Sequence, residues 1–137
     1  AGMCDGLELG SNAKSALLSR GLAEMARFGV AAGAKKETFF GIAGVGDLAT
    51  TCFSPQGRNR SCGEAIGRGA DLETYIAEQQ CVVEGVPTVK SVLTAAREYR
   101  IDMPITSAIY EILFEGTSPR DAIAQLMGRP ANTEGLA

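Results

Sequence analysis

The sequence contains no histidine and no tryptophan, and its four cysteines include no Cys-x-x-Cys pair. Without histidine, these 137 residues offer neither a Cys/His zinc site of the usual kind nor a Ser-His-Asp triad or Cys-His dyad. We therefore expect no metal site. We also expect Cys4, Cys52, Cys62 and Cys81 to be reduced thiols of a cytoplasmic protein, because a chain with an ordinary apolar core has little need of disulfides.

Long hydrophobic runs and a surplus of positive charge are also missing. No apolar run approaches the roughly 20 residues that a transmembrane helix needs, and no secretory signal pattern opens the chain. Lys and Arg number 13 against 16 Asp and Glu, which gives a net charge of −3. We therefore expect no membrane insertion and no general nucleic-acid binding, since the latter requires a basic stripe. With 45% hydrophobic residues in 137, the chain has the material for one domain with its own core.

Two-residue alternation of apolar and polar side chains is nearly absent, whereas three- and four-residue spacing recurs, so the sequence predicts an all-α fold. Ser11 or Asn12 is expected to cap a long helix that Gly33 ends in a left-handed conformation. Further helices are predicted over residues 37–42 and 59–67 and after Asp71, with others beginning at Gly85, Pro104 and Ser118. Large aromatic and Met side chains, among them Phe40 and Met127, are assigned to the core.

Residues 44–60 combine small and polar side chains that no amphipathic period explains. The polar members are Asp47, Thr50, Thr51, Arg58, Asn59 and Arg60. Arg58 and Arg60 carry planar guanidinium groups suited to phosphate, and Asp47 can orient a ligand or accept a proton. We interpret the segment as a binding or catalytic site. Simpler interpretations stay open, because Asp47 could cap a helix and residues 58–60 could form a solvated turn.

Gly44-x-Gly46-x-x-Ala49 matches the glycine pattern of a dinucleotide-binding turn. That pattern functions only between a β-strand and a long helix, and no strand is predicted here. Pro55 also follows too soon for a long helix. We therefore predict that the glycines allow a tight bend that aims Asp47 inward.

At this point the sequence resembles a known family. The residues that carry the resemblance are Gly44–Pro55 (GVGDLATTCFSP), Arg58-Asn59-Arg60, Val83-Glu84-Gly85-Val86, Met103-Pro104-Ile105-Thr106 and Tyr110-x-x-Leu113-x-x-Gly116. In this order and over essentially the whole chain, they look like the C-terminal domain of bacterial NAD(P)-dependent glycerol-3-phosphate dehydrogenase.

The resemblance implies that residues 1–137 form a helical substrate-binding domain of the type found at the C-terminus of 6-phosphogluconate dehydrogenase. The family places its active site between this domain and an N-terminal Rossmann domain, which binds most of the NAD or NADP. It interconverts dihydroxyacetone phosphate and sn-glycerol 3-phosphate by hydride transfer and feeds phospholipid synthesis. A homodimer is implied for the full-length protein. The choice between NADH and NADPH belongs largely to the other domain.

The resemblance also assigns roles to individual positions. It implies that Asp47 and Thr51 are catalytic, that Asp47, Gly57, Arg58 and Asn59 contact the substrate, and that Arg58, Val82 and Glu84 contact the cofactor. Gly57 departs from the family pattern, because relatives usually carry Ser or Thr at this position. The resemblance therefore implies that one side-chain contact to the substrate is missing here.

The family's catalytic lysine lies in a Lys-Asn motif just before the position that corresponds to Ala1. The chain therefore reads as a fragment, and we expect it to be inactive alone. Two alternatives stay open. One is the helical domain of a related dehydrogenase for another small acid or phosphate, and the other is a helical interaction module without enzymatic activity.

Overall fold

The chain folds into α-helices joined by short connections. A computed structural model describes residues 1–79 and 82–129. The helices are α1 (Gly2–Gly6), α2 (Gly10–Ala31), α3 (Asp47–Phe53), α4 (Arg58–Gly67), α5 (Leu72–Gln79), α6 (Gly85–Tyr99), α7 (Pro104–Phe114) and α8 (Pro119–Gly128). These two ranges contain no β-strand, which confirms the all-α prediction, and none of their helices is long and apolar enough to cross a bilayer. The prediction for Cys81 falls outside the described residues.

Local signals set several helix boundaries as predicted. Asp71 Oδ1 accepts a hydrogen bond from the Thr74 N–H at 2.9 Å and caps α5. Gly33, just beyond α2, has a φ of +93°, in the left-handed region that glycine adopts without steric cost. The predicted cap of α2 is wrong, because the helix begins at Gly10 after Leu9 and no side chain caps it. Ser11 and Asn12 lie within its first turn.

Ser118 caps α8 as predicted, since its Oγ accepts a hydrogen bond from the Asp121 N–H at 3.1 Å. Loss of such a cap costs about 1 kcal/mol. We therefore expect Ser118→Ala to lower the free energy of unfolding of the protein by about that amount. Urea unfolding followed by circular dichroism measures it. Ser118→Asn keeps an acceptor oxygen and should retain most of the stability; equal losses in both variants would contradict the capping role.

The connection between α2 and α3 differs from the prediction. Instead of a helix over 37–42 and a break at 44–46, a 3₁₀ turn spans Lys36–Phe40 and a π-type turn spans Ile42–Gly46, which leads directly into α3. Gly44 is buried so closely against the Phe39 backbone that a Cβ there would overlap it. The glycine thus serves a close backbone approach, and Asp47 points outward rather than inward, since it is exposed.

The core is built mainly from small and medium-sized side chains. Cys62, Ile66 and Val83 form its buried cluster, and Ala96 and Ala122 are among the least exposed residues elsewhere. Helices α1 and α4 approach each other through glycines: a Cβ on Gly67 would lie 2.7 Å from the Met3 carbonyl oxygen. The core assignment is wrong for Phe40 and Met127, which are 46% and 58% exposed. An apolar cavity of about 520 Å³ lies among α1, α2, α4, α6, α7 and α8, and Thr51 and Asn59 are among the residues that line it.

One buried carboxylate joins two distant helices. Glu24, in the middle of α2, is 4% exposed and accepts hydrogen bonds from the backbone N–H groups of Ile105 and Thr106 at 2.8 and 2.9 Å. The Thr106 hydroxyl donates a third at 2.6 Å. Glu24 therefore supplies the N-terminal cap that α7 lacks from its own N-cap residue, Met103. It fixes α7 against α2.

Candidate functional site

The first half of the site lies on α3. Asp47 is the first residue of this helix and Thr51 follows one turn later, so both side chains lie on the same face. Both are exposed. The neighbouring Thr50 is used locally, because its hydroxyl donates to the Gly46 carbonyl oxygen at 3.0 Å. The helix thus presents one carboxylate and one hydroxyl on the same face. Together these two groups can accept hydrogen bonds from a polar ligand and donate one to it.

The second half lies at the start of α4. The turn at residues 54–57 ends at Gly57, the N-cap, and Arg58 and Asn59 are the first two residues of the helix. A helix N-terminus exposes free backbone N–H groups and carries partial positive charge, which favours anions. Arg58 is exposed, and among the residues that the structure describes it has no ion-pair partner. Its guanidinium is therefore available to an anion at this helix end.

Asn59 connects this helix end to a second one. Its Oδ1 accepts a hydrogen bond from the Gly85 N–H at 3.0 Å, at the first residue of α6. Because the oxygen is occupied, the amide nitrogen is left to donate. A Cβ on Gly85 would lie 2.9 Å from Asn59 Oδ1, so a larger residue at this position would displace the Asn59 amide. The N-termini of α4 and α6 therefore meet at Asn59, beside Arg58.

The segment before α6 carries the remaining predicted residues. Glu84 is the N-cap of α6 and is exposed, as expected for an acid at a helix N-terminus. Val83 is 5% exposed and packs into the core, whereas Val82 is 66% exposed. The buried Val83 thus anchors a short edge from which Val82 and Glu84 point outward, next to the Asn59–Gly85 hydrogen bond.

The two halves meet at Gly57. A Cβ on Gly57 would lie 3.6 Å from the carbonyl oxygen of Thr51, so the start of α4 lies directly beside α3. Thr51 and Asn59 also border the same apolar cavity. The structure therefore brings Thr51, Gly57, Asn59 and the start of α6 together. It places Asp47 one turn from Thr51 and Arg58 next to Asn59.

Arg60 does not belong to this group, and the expectation that it helps to hold a phosphate is wrong. Its Nη2 lies 2.8 Å from Asp5 Oδ2 and 3.2 Å from Glu64 Oε2, and its side chain is only 15% exposed. Residues two positions apart in a helix face different directions, so Arg58 and Arg60 cannot both face one ligand at this helix end. The predicted helix began at Asn59 and so left Arg58 outside it. With the helix beginning at Arg58, the sequence would have predicted that the two arginines face different directions.

The lysines near the site are also engaged elsewhere. Lys14 Nζ contacts Asp5 Oδ1 at 2.7 Å, and Lys90 Nζ lies 4.0 Å from the centre of the Phe114 ring. Neither therefore offers a free proton donor beside Asp47.

The thiols have no apparent part in this site. Burial raises the pKa of the Cys4 thiol and keeps it protonated. Cys62 is buried and Cys52 half-buried. In residues 1–79 and 82–129 no cluster of three or more Cys, Asp or Glu side chains could hold a metal ion.

Comparison with known proteins identifies the relatives of this chain. The family model described as NAD-dependent glycerol-3-phosphate dehydrogenase C-terminus matches residues 1–124. A glycerol-3-phosphate dehydrogenase [NAD(P)+] of Salinibacter ruber is 51% identical over 98% of this chain, and one of Oceanobacillus iheyensis is 48% identical over the same share. In each case the match covers 39% of the relative, so the chain spans about two-fifths of their length.

A solved structure has the same fold. The crystal structure of glycerol-3-phosphate dehydrogenase from Coxiella burnetii superposes with a TM-score of 0.90 at 41% sequence identity. The match covers 93% of this chain and 39% of that one. The helical arrangement described above is therefore shared with a homologue, including the relative placement of α3, α4 and α6.

Proposed function

Because this chain belongs to the family described as the C-terminus of NAD-dependent glycerol-3-phosphate dehydrogenase, we propose that it is the substrate-binding domain of such an enzyme. The whole protein then interconverts dihydroxyacetone phosphate and sn-glycerol 3-phosphate. The main structural support for a phosphate site is that the N-termini of α4 and α6 meet at Asn59. Arg58, which has no ion-pair partner among the described residues, lies beside them.

The substrate phosphate binds at the start of α4 in this proposal. Arg58 donates from its guanidinium fork, Asn59 donates from its amide nitrogen, and the free N–H groups of the helix complete the site. Gly57 contributes only its backbone. Phosphate binding at this end supplies free energy that holds the carbonyl end of the substrate in position for reaction.

Asp47 and Thr51 lie toward the reacting carbon. Reduction of a ketone develops negative charge on its oxygen, and that charge needs a proton donor and fixed dipoles. The Thr51 hydroxyl can donate to the substrate oxygens, and Asp47 can accept from a substrate hydroxyl or orient a proton donor. We place that donor on the remainder of the protein, because the lysines near the site are engaged elsewhere.

NAD or NADP supplies the hydride when it is bound. The described part of the chain contains no strand and therefore no β-α-β unit of the kind that binds dinucleotides. We therefore assign it only peripheral contacts to the cofactor. Val82 and Glu84 fit this role because both are exposed beside Asn59, and Arg58 can pair with an anionic group of the cofactor from the same edge. The main cofactor site belongs to the remainder of the protein.

We also assign a homodimer and a cytoplasmic location to the whole protein. The first follows the family resemblance alone, and light scattering of the purified full-length protein tests it. The cytoplasmic location rests on the sequence expectation that the four cysteines are reduced thiols of a chain with an ordinary apolar core.

The test of the proposed activity uses the full-length protein. Oxidation of NADH and of NADPH is followed with dihydroxyacetone phosphate, with dihydroxyacetone and with a 2-oxo acid as substrates. We expect oxidation with dihydroxyacetone phosphate and far less with dihydroxyacetone, which lacks the phosphate, whereas the 137-residue chain alone is expected to show none. Absence of oxidation with the phosphate ester would refute the proposal. A preference for the 2-oxo acid would favour a related dehydrogenase of different specificity, and turnover of none of the three would favour an interaction module.

A further inference from the structure

A cluster of ion pairs lies behind the proposed site, and Asp5 is at its centre. The Asp5 carboxylate contacts Lys14 Nζ with both oxygens, at 2.7 and 2.8 Å, and its Oδ2 also contacts Arg60 Nη2 at 2.8 Å. The side chains of Lys14, Arg60 and Asp5 are 10%, 15% and 22% exposed. Because these groups are largely withdrawn from solvent, their geometry is held more firmly than that of a surface ion pair.

The cluster spans four helices. Asp5 lies on α1, Lys14 on α2 and Arg60 on α4. Lys14 Nζ also lies 4.8 Å from the centre of the Phe53 ring, the last residue of α3, in a cation–π contact. Lys14 thus links the carboxylate to α3, which carries Asp47 and Thr51. Arg60 links it to α4, one residue beyond Asn59.

The charges within the cluster depend on Asp5. Two cations, Lys14 and Arg60, face it, while Glu64 provides a second anion for Arg60 at 3.2 Å. Burial opposes ionisation of Asp5, but the hydrogen bond and charge of Lys14, together with the charge of Arg60, outweigh it and hold the pKa of Asp5 below its ordinary value. The carboxylate is therefore charged at neutral pH. Removing its charge would leave Lys14 without the carboxylate that it contacts and Arg60 with Glu64 as its remaining anion.

We propose that Asp5 is a positioning residue that sets the separation between α3 and α4, and with it the distance between the carbonyl end and the phosphate end of the substrate site. It acts through Lys14 and Phe53 on one side and through Arg60 on the other. The inference rests on the proposed function, because the two helix ends must bind one small molecule together. An error of about 1 Å in such a geometry is enough to slow a reaction by about 100-fold.

The experiment compares two substrates in the full-length enzyme. Dihydroxyacetone phosphate uses both ends of the site, whereas dihydroxyacetone uses only the end near Asp47 and Thr51. In Asp5→Asn we expect kcat/KM to fall about 10-fold or more for the phosphate ester and less than about 3-fold for dihydroxyacetone. A variant that is only less stable loses folded enzyme, and its activity falls in the same proportion for both substrates.

Two further variants keep the test decisive if Asp5→Asn does not fold. Lys14→Met removes the charge from the link to α3, and Phe53→Leu removes the ring while keeping an apolar, half-exposed side chain. Both should weaken reduction of the phosphate ester selectively, Phe53→Leu the less of the two. Asp102→Asn is the matched control, since it removes an exposed ion pair with Arg129 elsewhere in the domain; it should leave both substrates unchanged.

Equal losses for the two substrates, or no loss in Asp5→Asn and Lys14→Met, would overturn the positioning role while the proposed function stands. Failure of the unmodified enzyme to reduce dihydroxyacetone phosphate would instead remove the proposed function, and the inference with it. The two failures are therefore distinguishable from the same set of assays.

Discussion

Replacing Arg58 by alanine in the full-length enzyme is expected to lower kcat/KM for dihydroxyacetone phosphate by about 100-fold, mainly through a higher KM. Arg58 is the guanidinium at the proposed phosphate site that pairs with no acid in residues 1–79 and 82–129, and loss of a charged partner from a bound ion typically costs about 2–5 kcal/mol. Reduction of dihydroxyacetone should change little, because that substrate has no phosphate. Steady-state kinetics with both substrates gives the result.

Two other arginine variants sharpen this test. Arg58→Lys keeps the charge but loses the two parallel hydrogen bonds, so its effect should lie between those of alanine and the unmodified enzyme. Arg68→Ala, at the C-cap of the same helix, removes an exposed guanidinium that pairs with Glu64 and should leave KM unchanged. An unchanged KM in Arg58→Ala, or an equal rise in Arg68→Ala, would refute the phosphate assignment.

The second large effect concerns stability. Glu24→Ala should reduce the free energy of unfolding by about 3 kcal/mol, because it leaves two partly buried N–H groups at the start of α7 without their acceptor. It also removes the third hydrogen bond, from the Thr106 hydroxyl. Urea unfolding of the full-length protein, followed by circular dichroism, measures the change. Hydrogen exchange in a peptide covering residues 101–110 should accelerate, since the Ile105 and Thr106 amides lose their acceptor.

The controls for Glu24 separate capping from loss of a side chain. Glu24→Gln keeps the shape and one acceptor oxygen but loses the charge that favours a helix N-terminus, so we expect a loss of about 1–2 kcal/mol. Glu98→Ala removes an exposed carboxylate from α6 and should change stability by less than about 0.5 kcal/mol. If Glu24→Ala were no more destabilising than Glu98→Ala, the capping role would be wrong.

The polar segment at residues 44–60 was identifiable from sequence, but its internal assignment was not. Asp47, Thr51, Arg58 and Asn59 stand out because no amphipathic pattern accounts for them, and all four are exposed in the structure. From the sequence, Arg60 had the same claim to a phosphate as Arg58, because both are arginines in the same polar segment. It differs because Asp5, 55 positions away in the sequence, pairs with it. Their roles in catalysis and binding stay predictions until the variants are measured.

The burial of Glu24 could be predicted from its position in the sequence. It lies seven residues after Leu17 and eleven after Ala13, two residues of α2 that border the apolar cavity, so it falls on that inward face. A carboxylate on such a face needs a buried partner. The spacing therefore predicts a buried acid, but it does not predict that the backbone N–H groups of Ile105 and Thr106 are its hydrogen-bond donors.

The sequence by itself determined the helical class, most helix boundaries, the polar segment and the family, because caps, prolines, glycines, apolar spacing and motifs are local properties of the chain. Only the tertiary structure decided which charges are free and which are paired. Among the described residues Arg58 has no ion-pair partner, whereas Arg60 and Lys14 both pair with Asp5. Glu24 caps the start of α7, and Asn59 accepts a hydrogen bond from the Gly85 N–H. Such pairings join residues that are distant in the chain and so leave no periodic signature. They depend on how the helices pack against one another, which no single segment specifies.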